Sequence, residues 1–108
     1  MQAVLTSNTL SNMVDLKSKL TRLFEKLETA DNVAKNSIEN EIVNFGDTAV
    51  EFLIDMLTGS KGTKRGVAAM SLIRIGEASI RPLRQLSEAN KNYTWVANYI
   101  IQEIEGNF

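Results

Sequence analysis

The strongest constraint on this chain is that part of it occurs twice. The segment Phe45-Gly46-Asp47-Thr48-Ala49-Val50-Glu51-Phe52-Leu53-Ile54 returns thirty residues later as Ile75-Gly76-Glu77-Ala78-Ser79-Ile80-Arg81-Pro82-Leu83-Arg84. In each copy an apolar helical pattern ends on a large apolar residue, Gly follows, an acidic residue comes next, and a second apolar pattern starts at once. That is a helix stop fused to a helix start. Such a unit holds two helices, too little to bury its own apolar faces, so neighbouring copies must cover one another.

The periodicity of the rest of the chain extends this pattern to six helices. Residues up to about Asn8 carry no sustained period and predict a flexible arm. Met13, Leu16, Leu20, Leu23, Phe24 and Leu27 then recur at steps of three and four, which predicts a first helix ending near Glu28. After a turn at Thr29 to Asn32, a second helix buries Ile38, Ile42 and Phe45 and stops at Gly46. Asp47 is placed to cap a third helix that buries Val50, Leu53, Ile54 and Leu57. Gly59 and Gly62 predict the loosest connection of the chain over Thr58 to Thr63. The fourth helix buries Ala68, Leu72 and Ile75; the fifth buries Ile80, Leu83 and Leu86, with Pro82 in or just beyond its first turn.

The sixth helix, from about Tyr93 to Glu105, tests the register. A step of thirty residues from the fourth helix would place Asn98, Gln102 and Glu105 in the rows of Ala68, Leu72 and Ile75. A step of twenty-nine pairs Ala97, Ile101 and Ile104 with those positions instead. The shorter step keeps the core apolar and is the one expected.

Lys64-Arg65-Gly66-Val67-Ala68-Ala69-Met70-Ser71-Leu72-Ile73-Arg74-Ile75-Gly76 resembles the second helix of a HEAT-like repeat of the short, roughly thirty-residue kind. Ala68, Ala69, Leu72, Ile75 and Gly76 carry the resemblance; Lys64 stands where that pattern has valine, and Ile73 where it has Gly or Ala. The resemblance implies an all-α, right-handed α-solenoid of about three antiparallel helix pairs. The pairs would span about 9–46, 47–76 and 77–106, in one domain over 9–108 after the arm at 1–8. The first pair lacks the Gly-acidic entry, as expected of a terminal cap.

The chain has no Cys and no His. That removes disulfides, thiolate nucleophiles, imidazole-based triads and nearly all zinc sites. No spacing groups the remaining carboxylates, Lys, Tyr or Ser for catalysis, so no enzyme, no catalytic residue, no cofactor and no metal is expected. No apolar run reaches the roughly twenty residues that cross a bilayer, and the start resembles no secretory leader; a cytoplasmic protein with no membrane partner is the expectation. Asn92-Tyr93-Thr94 matches a glycosylation pattern, which has no use there.

Net charge is −1, yet Met1 to Ser60 carries five basic and nine acidic residues while Lys61 to Arg84 carries six basic residues and only Glu77. The belt Lys61, Lys64, Arg65, Arg74, Arg81 and Arg84 offers a phosphate or nucleic-acid surface. Equally, these are solvated positions on two neighbouring helices. The near-neutral total counts against nucleic acid.

In HEAT-like solenoids the second helices line the concave surface, and the resemblance implies the same for the second, fourth and sixth helices here. Facing away from the core are Asn36, Asn40 and Asn44; Gly66, Met70 and Arg74; and Trp95, Tyr99 and Glu103, each a row at steps of four. Exposed Trp and Tyr beside Met and Arg are the composition of protein-binding hot spots. The expected function is therefore a scaffold or adaptor that binds a protein partner through Trp95, Tyr99, Glu103, Met70, Arg74, Asn40 and Asn44. Trp95 and Tyr99 could instead fold over the open end of the stack, with Ile100 and Phe108 capping it or offering a self-association surface, so the chain is a monomer or a weak homodimer. The alternatives are anion binding through the basic belt, or an accessory subunit of a bilin-lyase-like system, since the short repeats also resemble those of phycobilin lyase subunits.

Overall fold

The computed structural model describes residues 7–106, and every regular element among them is helical. Six α-helices follow in order: α1 (Ser7–Lys26), α2 (Asn32–Asn44), α3 (Val50–Gly59), α4 (Gly62–Ile75), α5 (Ile80–Ala89) and α6 (Thr94–Glu105). Residues 1–6 of the expected arm lie outside the described residues, and Ser7 and Asn8 already belong to α1.

Consecutive helices pack as α1 with α2, α3 with α4, and α5 with α6; α4 also lies beside both α2 and α6, and α5 beside α3. One continuous core results. It holds Leu20, Leu23, Phe24 and Leu27 of the first helix and its turn, Ile38 and Ile42 of α2, Val50, Leu53 and Leu57 of α3, Ala68 and Leu72 of α4, Leu83 of α5, and Ala97 and Ile101 of α6. Phe24 and Phe52 stack at a tilt with centroids 5.6 Å apart, which ties α1 to α3. Tyr93 donates its hydroxyl to the Thr58 carbonyl at 2.9 Å, pinning the start of α6 to the end of α3, where helical carbonyls lack intrahelical partners.

The twenty-nine residue register is the observed one, with Ala97 and Ile101 buried while Asn98, Gln102 and Glu105 are exposed. Several local expectations change. Met13 and its neighbour Val14 are exposed, because the twenty residues of α1 outreach the thirteen of α2. Asp47 does not cap α3: a 3-10 turn over Gly46–Ala49 precedes the helix, and the Thr48 hydroxyl donates to the Phe45 carbonyl at 2.6 Å instead. The connection expected to be loosest is only Ser60 and Lys61, since Gly59 stays in α3 and Gly62 opens α4. Ser60 donates its amide and its hydroxyl to the Met56 carbonyl and closes the end of α3. Another 3-10 turn, Lys91–Tyr93, delays α6 to Thr94. Ile100, expected either to cap the end of the stack or to offer a self-association surface, is fully buried, and Phe108 lies outside the described residues.

Both glycines of the repeated motif have positive φ, +64° at Gly46 and +89° at Gly76. At Gly76 the accompanying ψ of −134° mirrors the β region, which an L side chain avoids. A methyl there meets nothing within 4 Å, so its cost is backbone strain alone. Gly76→Ala is expected to lower unfolding stability by ~1–3 kcal/mol, read from urea midpoints, with no loss of helix content in the folded state.

Two serines sit fully buried at the junctions between pairs. Ser79 donates to the Leu72 carbonyl at 2.9 Å, whereas the Ser71 hydroxyl has no hydrogen-bond partner among the described residues. A buried hydroxyl without a partner opposes folding. Ser71→Ala is expected to stabilise by about 1 kcal/mol, a Tm rise of ~4–8 °C, while Ser79→Ala shifts Tm the other way.

Candidate functional site

Asn40, Met70 and Tyr99 each lie between two buried residues, two positions before and two after: Ile38 and Ile42, Ala68 and Leu72, Ala97 and Ile101. Two residues are a rotation of about 200° on a helix, so all three side chains point directly away from the core. Met70 and Tyr99 are 49% and 52% exposed, and Trp95, one turn before Tyr99, is 69% exposed. Asn36, Asn40, Asn44, Gly66 and Arg74 are also exposed and Glu103 is half-buried. Because α4 lies between α2 and α6, the three rows are neighbours. Asn98 and Gln102 flank this row on α6. The end that α5 and α6 form is polar: both residues are exposed, and Arg84 of α5 pairs with Glu105 at 3.3 Å.

Ion pairs shape the middle of this surface. Arg74 donates to the Glu39 carboxylate of α2 at 2.9 Å, and Lys64 donates to Glu28, just beyond α1, at 2.8 Å. Lys64, Val67, Ser71 and Arg74 form one stripe of α4 at steps of three and four, so this flank faces the first pair. The hydrogen bond from Lys64, and then its charge, hold the Glu28 carboxyl below the usual carboxylate range.

Residues of the basic belt are accordingly distributed rather than gathered. Lys64, Arg74 and Arg84 each have a carboxylate partner. Lys64 and Arg65 stand near the start of α4 and Arg74 near its end, ten residues and about 15 Å along the axis, while Arg81 and Arg84 belong to α5.

A second feature went unnoticed in the sequence. Between α1 and α2 runs an open groove of about 370 Å³, lined by Lys19, Arg22, Leu23 and Lys26 of α1, by Glu41 and Asn44 of α2, and by Phe45. Its signal is a basic row at steps of three and four beside the apolar stripe of α1, legible once that row is drawn separately from the core. Asn44, assigned to the outer row of α2, thus borders this groove as well. No helix among the described residues is long and apolar enough to cross a membrane. No protein-family model, curated protein or solved structure matches the chain.

The Lys64–Glu28 contact gives a direct check of the packing of α4 on the first pair. A carboxyl whose folded pKa is depressed adds stability above the usual carboxylate range, and that contribution is lost as pH falls through the folded value. Lys64→Ala is expected to raise the Glu28 carboxyl pKa toward its ordinary value in an NMR titration. An unchanged Glu28 would mean that the two side chains do not meet in solution.

Proposed function

We propose that this chain is a small HEAT-like α-solenoid, three antiparallel helix pairs with a right-handed turn, that acts as a binding module rather than as an enzyme. In this reading α2, α4 and α6 line the concave side, and a protein partner docks on Met70, Trp95 and Tyr99, flanked by Arg74, Glu103, Asn40 and Asn44. The observation that carries it is the exposure of one Trp, one Tyr and one Met, each directed away from a core that does not need them. A tryptophan 69% exposed leaves a large apolar surface in water, and covering it on binding is strongly favourable. Supporting the solenoid assignment is the order of neighbours, α2 beside α4 beside α6 and α3 beside α5, as expected of stacked pairs.

Anion binding through the basic belt has less support, because three of its residues already meet carboxylates and the rest are spread over two helices. A role beside a bilin-lyase-like enzyme rests on the resemblance alone. The polar end formed by α5 and α6 favours a monomer over a dimer joined there.

Trp95 is also the natural reporter, being the single Trp of the chain. Its fluorescence should shift to the blue when a partner captured from lysate of the source organism is added back. Trp95→Ala with Tyr99→Ala should keep the wild-type thermal melt and lose capture, at about 2 kcal/mol for each side chain or roughly thirtyfold in Kd. Undiminished capture by the folded double variant would rule this surface out.

A further inference from the structure

The groove between α1 and α2 lies on a different side of the molecule from the aromatic row. Glu39 reaches α4 through Arg74, and Glu41, two residues on, is therefore on the opposite flank of α2. Likewise Phe24 meets Phe52 of α3, while Arg22, two residues back, points the other way. Half-buried Phe45, with the edge of the core residue Leu23, forms a small apolar floor. Along one wall stand Lys19, Arg22 and Lys26, a row about 10 Å long; across from them are Glu41 and Asn44. Lys19 is shared with Asp15 at 3.4 Å, and Arg22 and Lys26 have no carboxylate partner among the described residues.

We propose that this groove takes an acidic amphipathic helix from a partner protein, as a second docking surface independent of Trp95 and Tyr99. The basic row sits at helical spacing, so a facing helix with carboxylates at steps of three and four can meet Arg22 and Lys26 together while its apolar stripe covers Leu23 and Phe45. Helices already occupy the corresponding place elsewhere in the fold: the other flank of α2 is covered by α4. A nucleic-acid backbone fits worse, since Glu41 stands in the wall against it and the apolar floor offers phosphate nothing. A second copy offering the same face would set Arg22 and Lys26 against their own kind. With one surface at the outer row and one on this flank, a single chain can bridge two partners.

The probe is a fluorescein-labelled helix-forming peptide with Leu and Phe on one face flanked by Glu. Its Lys-for-Glu counterpart and a single-stranded oligonucleotide serve as the other arms, all followed by fluorescence anisotropy. The Glu peptide should bind, weaken as salt rises, and lose about tenfold or more in affinity in Arg22→Glu with Lys26→Glu. These side chains are exposed, so the variant should melt as the wild type does, and Lys17→Glu on another face of α1 should bind as before. Trp95→Ala with Tyr99→Ala should leave this binding intact, which keeps the two surfaces separable. Equal binding of the Glu and Lys peptides overturns the proposal, as do undiminished binding by the folded Arg22/Lys26 variant, preference for the oligonucleotide, and no binding at the highest soluble protein concentration.

Discussion

What the remainder of the fold depends on is the packing of α4, which is flanked by three other helices. It touches α3 within its own pair and lies between α2 and α6. A helix covered on three sides needs a buried arc far wider than the single stripe of a surface helix, and it needs small side chains where neighbours come close. Ala68 and Leu72 supply the centre of that arc, Val67 and Ser71 the flank toward the first pair, and Ala69 and Ile73 the half-buried opposite flank. Larger residues at Ala68 or Ser71 would push α2 outward, and interiors packed as tightly as proteins resist such shifts.

The ion pairs refine that packing rather than produce it. Lys64–Glu28 and Arg74–Glu39 lie at the two ends of one stripe of α4, with the buried Val67 and Ser71 between them. Partly exposed pairs of this kind contribute less than the burial of one large aliphatic side chain, which is worth about 1.5–3 kcal/mol. Their effect is on alignment. Sliding α4 by one turn would break both pairs together and displace the buried Val67 and Ser71 between them.

How far the fold was legible follows from the same geometry. Val50, Leu53 and Leu57, Ala68 and Leu72, and Ala97 and Ile101 were read from periodicity because each marks the centre of a buried face. Val67, Ser71, Val96 and Ile100 were not, although Val67 with Val96 and Ser71 with Ile100 are themselves twenty-nine residues apart and buried. They stand on flanks, and a flank is buried only when the next helix is known to lie there. The Asp47 cap failed for a different reason: the chain enters α3 through a 3-10 turn, which places Ala49 and not Asp47 before the first α-helical residue. The groove beside α1 is bordered by Lys19, Arg22 and Lys26, a row next to the apolar stripe that core periodicity does not single out.

The outer row was predicted from the register alone, and the packing explains why its composition carries information that the core does not. At the inner positions chemistry is forced, so Ala, Leu and Ile recur wherever helices meet. At the outer positions no neighbour imposes a volume or a polarity. Along equivalent places the chain nevertheless runs from Asn36, Asn40 and Asn44 through Gly66, Met70 and Arg74 to Trp95, Tyr99 and Glu103. Nothing in helix formation asks for this gradient: asparagine and glycine are poor helix formers, and exposed aromatic rings forgo the burial that would repay their hydration cost. The asparagines, the glycine and the exposed aromatics oppose, to a small degree, the fold that presents them, whereas Met70, Arg74 and Glu103 are good helix formers. A row built in part against local preference, on a frame whose buried positions are apolar except for Ser71 and Ser79, has no source in the packing of the helices themselves.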